Sequence, residues 1–389
     1  MTFCRSPFEL SPLELASGLV FGTAPRPPQT RADAMEDPLA ALEQALLPAL
    51  ASGPCFVSFS GGRDSSAVLA AAVSAARREG LPLPVPATNV FPDAPRSSEA
   101  EWQELVIRRL GLDEWVRLEI RDELDCVGPL AKGILERHGL LWPFNTHFHA
   151  PLLRVAHGGT LLTGIGGDEL LGTSQWARAA AVLSGAARPG LRDLPRTVVA
   201  LAPYAVRREV LRRRFPVDTR LPWLTAEANR ELLCRSADDL AREPLGWSRR
   251  WRSWSDRRET QIGLRSLELV AEDCGARIEH PLTDPGFVVS VARVAARRRL
   301  HDRTAVLRAV FSPILPGPVI ERSSKAAFDS VFFGPASRGL SLISAQELSG
   351  LETVDGAALR DQWSGDSPDP HTYLLLQAAL VRRPPAGRT

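Results

Sequence analysis

Two short strands that each end in a glycine-rich turn and run into a helix constrain this chain more than any other feature. The first junction reads Phe59-Ser60-Gly61-Gly62-Arg63-Asp64-Ser65-Ser66, the second Thr163-Gly164-Ile165-Gly166-Gly167-Asp168-Glu169-Leu170. Between them the pattern alternates. Strands are expected at Phe56–Ser60, Val85–Val90, Trp115–Ile120 and Leu161–Thr163. Helices are expected at Ser65–Arg78, from a Ser98-x-x-Glu101 capping box to Leu110, and at Leu124–His138. Strands separated by helices of this length require right-handed crossovers, hence an α/β fold with a parallel sheet and helices on both faces.

The flanks read differently. Residues 1–38 carry Pro25, Pro27, Pro28 and Pro38 and read as an irregular leader with one short helix near Leu13. An α/β core is expected over 39–180. After about residue 175 strand signals stop, and a helical lobe over 181–381 is expected, with helices at Thr225–Leu240, Gln261–Asp273, Phe287–Ala296, Arg303–Phe311 and Thr372–Val381. The proline-rich tail 382–389 is expected to fray.

The first turn has the makings of an anion site. A helix start offers free N–H groups and the positive end of its dipole, and glycines allow close backbone approach. Ser60, Ser65 and Ser66 add hydroxyls. Asp64 would repel a phosphate directly but suits a Mg²⁺ ion placed between carboxylate and phosphate oxygens. No G-K-[ST] follows, so this is not a Walker loop. Parallel strands ending in such turns bring Asp64 and Asp168 to one crevice at the carboxyl edge of the sheet.

The serine-glycine-glycine-x-aspartate-serine string resembles the PP-loop of ATP pyrophosphatases, which cleave ATP between the α and β phosphates. Together the two turns resemble the synthetase domain of asparagine synthetases and their relatives, β-lactam synthetase and the lasso-peptide macrolactam synthetases. His280-Pro281-Leu282-Thr283-Asp284, Thr304–Arg308, Leu315-Pro316 and Arg322-Ser323-Ser324-Lys325-Ala326-Ala327-Phe328 follow the order of that family's later motifs. The resemblance covers about residues 40–335 and implies an adenine nucleotide alpha-hydrolase-like fold. It also implies that ATP with Mg²⁺ converts a carboxylate to an acyl-adenylate, which an amine then turns into an amide. By resemblance the nucleotide contacts are Phe59, Ser60, Gly61, Gly62, Asp64, Ser65, Ser66, Phe91, Thr163, Gly164 and Gly166, the metal ligands Asp64 and Asp168, and the catalytic cation Lys325. Composition supports the last assignment separately. The only lysines are Lys132 and Lys325 among 47 basic residues, and a lysine kept in an arginine-rich chain is a candidate for work a guanidinium cannot do.

The chain also departs from the family. Residue 2 is Thr2 and Cys4 is misplaced, so no glutaminase is expected and the amine is ammonia or a substrate amine. Ile165 stands where asparagine synthetases carry an acid and β-lactam synthetase a tyrosine. Arg277-Ile278-Glu279-His280 inverts the family's charge order. These changes argue against asparagine as product and for a peptide or specialised-metabolite substrate. A base, if the amine needs one, is sought among His147, His149, Glu272, Glu279 and His280, with Glu279 as the candidate. The Asn145–His149 cluster is placed at the acyl pocket.

A formal charge of +2 gives no footprint for nucleic acid or an anionic membrane. Five scattered cysteines without C-x-x-C fit a reducing, cytoplasmic setting better than disulfides, zinc or a dithiol. The uncharged run from Gln44 to Gly62 is broken by Pro48 and Gly53-Pro54 and is no membrane span. Trp247, Trp251 and Trp254 have helical spacing and read as a packing stripe. Two alternatives stay open: a PP-loop enzyme acting on tRNA, and a silent nucleotide-binding scaffold.

Overall fold

The computed structural model of the chain describes residues 6–24, 35–94, 97, 99–171, 175–185, 187–214, 220–300, 302–324, 326, 328–348 and 350–382. Thr2, Cys4, Pro25, Pro27, Pro28, Ser98, Lys325, Ala327 and the tail from 383 lie outside the described residues.

The chain opens with α1 (Pro12–Ser17) and α2 (Pro38–Ala51), then alternates: β1 (Cys55–Ser58), α3 (Arg63–Glu79), β2 (Val85–Val90), α4 (Ala100–Leu110), β3 (Val116–Glu119), α5 (Pro129–His138), α6 (Ala150–Val155), β4 (Thr160–Leu162). Helices α7 (Gly167–Leu171), α8 (Ala177–Leu183), α9 (Asp193–Leu201), α10 (Tyr204–Arg214), α11 (Ala226–Arg242), α12 (Trp247–Ser255) and α13 (Arg258–Asp273) follow. Then come β5 (Arg277–Glu279), α14 (Pro285–Arg298), α15 (Arg303–Phe311), α16 (Gly317–Glu321), α17 (Pro335–Leu348), α18 (Gly356–Ser364) and α19 (Tyr373–Arg382).

The five strands are all parallel, in the order β3-β2-β1-β4-β5. Strand alternation divides the side chains between two layers. Val57 and Leu162 pack with α2, α3, α4, α14 and α15, whereas Ala87 and Leu161 pack with α5, α6 and α13. The chain leaves β1 to one side for β2 and returns to the other for β4, so the switch point lies between β1 and β4, where ligands of open α/β sheets bind. Both glycine turns emerge there.

Several expectations need correction. Strand signals do not stop at 175: β5 pairs with β4, with Leu162 opposite Glu279. A three-residue strand is too short for alternation to be read, and it exists because the sheet edge accepts it. The boundary at 180 therefore does not divide the packing. Phe287, Val291, Val306 and Phe311 complete the same core as Leu42 and Val68. The short helix expected near Leu13 is present as α1. Ser11 and Glu14 form a capping box on α1, and Leu13 and Ala16 are buried beside Trp223, Tyr373 and Leu376. Helix α4 begins at Ala100 with Glu99 as an N-cap lacking a side-chain cap bond, and Ser98 of the expected capping box lies outside the described residues. Trp251 is buried with Trp254 packed against it, as a packing stripe requires. Among the described residues no helix is long and apolar enough to cross a membrane.

Candidate active site

The first turn is stiffened by its own hydroxyls. Ser60 Oγ lies 3.1 Å from Ser65 Oγ and accepts from the Gly62 N–H at 3.2 Å, while Ser65 Oγ donates to the Gly62 carbonyl at 3.2 Å. Gly61 has φ +81°, and a Cβ there would sit 2.7 Å from the Gln103 side chain. Gln103 in turn donates from Nε2 to the Ser60 carbonyl at 3.0 Å. The turn opens onto α3 through Gly62, which provides no side-chain cap. The first N–H groups of a 17-residue helix are thus available to a ligand.

The second turn is pressed against the first. A Cβ at Gly164 would come within 2.8 Å of the Ser65 nitrogen, and one at Gly167 within 2.5 Å of Asp64 Oδ1. Only glycine lets the two turns approach this closely. Gly166, at φ +95°, reverses the chain toward α7.

The result is a cavity of about 470 Å³ lined by Ser60, Gly62, Asp64 and Ser65 from one turn and by Thr163, Gly164, Ile165, Gly166 and Asp168 from the other. One wall is aromatic. Phe148, Phe328 and Phe332 line it with Asn145 and His149, and Phe148 lies 5.9 Å from Phe328 and 6.1 Å from Phe332 between centroids. Asn89, at the end of β2, fixes Phe148 by donating to its carbonyl at 3.1 Å.

Some expected contacts lie elsewhere. Phe59 is buried edge-on to Trp115 and offers only its carbonyl, which Thr88 Oγ holds at 2.6 Å. Ser66 is buried within α3, Gly61 turns its carbonyl toward Arg322, and Phe91 lies behind Phe148 and Phe328. None of these lines the cavity. Nor does Glu279, whose carboxyl is held above its ordinary value by burial, countered by Arg277. Of the other base candidates, Glu272 pairs with Arg265 on an exposed surface and His147 is bonded through Nε2 to the Leu124 carbonyl. His280 bonds through Nδ1 to Thr163 Oγ at 2.6 Å, and burial, aided by the nearby His149, pushes its pKa down to about 3. His149 alone of the five reaches the cavity. Burial pushes it down to about 4, and its Nδ1 is buried without a partner.

Arginines given no role by the sequence dominate the electrostatics. Arg303, the first residue of α15, donates one Nη to Asp64 and the other to Asp168. Arg322 makes a bidentate pair with Glu99 and donates to the Gly61 carbonyl at 2.7 Å, with both partners nearly inaccessible. Trp102 covers its guanidinium at 4.9 Å, and the Ala326 N–H bonds Glu99 at 3.0 Å. This pair therefore ties the first turn to the segment that carries Lys325. Arg322 lay within a quoted motif and Arg303 at a foreseen helix start, but 47 basic residues gave neither any contrast.

The carboxylates suit a divalent cation with phosphate. Burial raises the Asp64 carboxyl above its ordinary range, with Arg303 opposing, and Asp64 Oδ1 is buried with no hydrogen-bond partner. Among the described residues no three His, Cys, Asp or Glu side chains are grouped to hold a metal alone. Two hard carboxylates with the rest of the shell left to phosphate and water is the usual arrangement for Mg²⁺.

Comparison with known proteins agrees with this geometry. The family model described as asparagine synthase matches residues 39–367. Among curated proteins the chain finds no match.

Proposed function

The chain belongs to the asparagine synthase family, whose enzymes are ATP-dependent carbon–nitrogen ligases, and from that premise we propose that it adenylates a substrate carboxylate and passes the acyl group to an amine. The observation that carries this reading is the meeting of Asp64 and Asp168 in one cavity beside the Ser60–Ser65 turn. A carboxylate oxygen attacks the α-phosphorus of ATP, the bond to the bridging oxygen breaks, and pyrophosphate leaves. The amine nitrogen then attacks the acyl carbon, AMP departs, and the nitrogen loses one proton.

The Ser60 and Ser65 hydroxyls and the first N–H groups of α3 hold phosphate oxygens. Asp64 and Asp168 hold Mg²⁺, which neutralises the triphosphate charge. Lys325 stabilises negative charge during transfer, a contribution of about 10²–10³ in rate for a positioned donor. The unpartnered Nδ1 of His149 accepts the amine proton in place of the side chain missing at Ile165.

The acyl donor is a peptide or specialised metabolite and not free aspartate. An amino acid of that kind needs a cation for its α-carboxylate, and Phe148, Phe328 and Phe332 offer an apolar wall instead. Of the described cations of the cavity, Arg303 and Arg322 are engaged with Asp64, Asp168 and Glu99, and Arg63 is bonded to Thr304. No nucleic acid or membrane enters the reaction, which takes place in the cytoplasm.

Incubation of the protein with Mg²⁺-ATP and an extract of its source cells, against aspartate plus ammonium, tests the reading. AMP and pyrophosphate with the extract alone are expected. AMP with aspartate and ammonium would overturn the substrate assignment, and ADP with phosphate would overturn the adenylation.

A further inference from the structure

We infer that Arg303 is the resident counter-ion of the Asp64–Asp168 pair, and that it yields this seat to a divalent cation only when nucleotide is present to receive the displaced guanidinium. The inference rests on reading the two carboxylates as metal ligands. Arg303 is a positioning residue in this account: it holds the ligands together and in register until ATP arrives.

The geometry supports an exchange better than a permanent ion pair. One Nη reaches each carboxylate, so a single planar group spans the gap between the turn after β1 and the turn after β4. The fit is incomplete on both sides. Arg303 Nε and Asp64 Oδ1 are each buried with no hydrogen-bond partner. Leaving such buried polar atoms without partners forfeits their solvation with nothing in return. A metal ion with phosphate oxygens gives Asp64 Oδ1 a ligand, and a triphosphate gives the guanidinium more acceptors than two carboxylates do.

Charge points the same way. Two carboxylates against one guanidinium leave the pair with a net negative charge, which a divalent ion would cancel. Arg63 lies at the same mouth, bonded from Nη1 to Thr304 Oγ at 3.3 Å, so the residue after Arg303 already anchors a second guanidinium. With Arg303 released toward the mouth, the two arginines would flank an incoming polyanion. Metal and nucleotide should then bind together, each weakly alone.

Mn²⁺ titration of the full chain, read by the electron paramagnetic resonance of free Mn²⁺, tests this without any turnover. Without nucleotide the wild type is expected to bind Mn²⁺ at least about tenfold more weakly than Arg303→Met, a difference of about 1.4 kcal/mol. α,β-Methylene-ATP should remove most of that difference. The Asp64→Asn, Arg303→Met double variant should lose the gain, which shows that the tighter site is the carboxylate pair. Circular dichroism of each variant confirms that it is folded. Equal Mn²⁺ affinity of wild type and Arg303→Met without nucleotide overturns the exchange while leaving the ligase reading intact. Absence of Mn²⁺ binding to every form, with the analogue present, overturns the metal-ligand reading itself and the exchange with it.

Discussion

The two glycine turns meet at one cavity but are built on different principles. The first carries its own scaffold: Ser60, Gly62 and Ser65 bond one another, Gln103 braces the loop, and a 17-residue helix follows. Its aspartate is largely buried, with a side chain 17% exposed. The second enters a helix of only five residues, and its Asp168 side chain is 52% exposed. What fixes the second turn is contact with the first, through Gly164 against Ser65 and Gly167 against Asp64. The first turn is therefore a self-braced element and the second an arm docked on it, which the proposed function would use as phosphate cradle and metal-ligand arm. Damage to the first should cost both folding and chemistry, whereas damage to the second should cost chemistry alone.

The sharpest way to break this contrast is at the brace of the first turn. Glu99→Ala leaves Arg322 buried and unpaired, a loss of about 3–5 kcal/mol in stability, to be read by urea unfolding. Asp168→Asn, on the half-exposed arm, should stay within about 0.5 kcal/mol of wild type while losing AMP formation. A comparable stability loss in the two variants would remove the distinction.

Next in size is the contact between the turns. Gly167→Ala forces a methyl group into the Asp64 carboxylate, and a misplacement of that kind costs about 10²-fold in turnover. Gly133→Ala in α5 is the matched control. With nothing within 4 Å of the new methyl, it should leave turnover unchanged and add about 0.4–1 kcal/mol of stability.

The smallest effect concerns the histidines near the second turn. His149 and His280 have pKa values pushed by burial from 6.5 down to about 4 and about 3. Below pH 6.5 the unfolded chain takes up protons that the folded chain refuses. Stability should therefore rise with pH from about 3 to 6.5 and flatten above. His149→Gln should shallow that slope in a pH series of thermal melts. An unchanged slope would place the proton uptake elsewhere.

The same contrast explains what could be read from sequence. The first turn was legible because its geometry is local: serines, glycines and an aspartate fall within eight consecutive residues. Its alternating strands and helices were legible for the same reason, since periodicity is a property of a segment. Arg303, Arg322 and Glu99 act across more than two hundred residues, and nothing in a single segment distinguishes them from other charged side chains. Strand β5 was missed because Arg-Ile-Glu becomes a strand only beside β4. The short helix near Leu13 was legible from its own segment but its packing was not, since Leu13 and Ala16 find partners at the far end of the chain. Lys325, read from its motif and from the scarcity of lysine, lies outside the described residues.

The most direct test of the central claim, that both carboxylates serve one adenylating centre, is exchange of labelled pyrophosphate into ATP. The substrate fraction identified by AMP release would be present, and wild type would be compared with Asp64→Asn and Asp168→Asn. The account predicts exchange in the wild type and its loss in both variants, with the fold of Asp168→Asn intact. Exchange that persists in Asp168→Asn would contradict it, since the second turn would then have no part in activating the carboxylate.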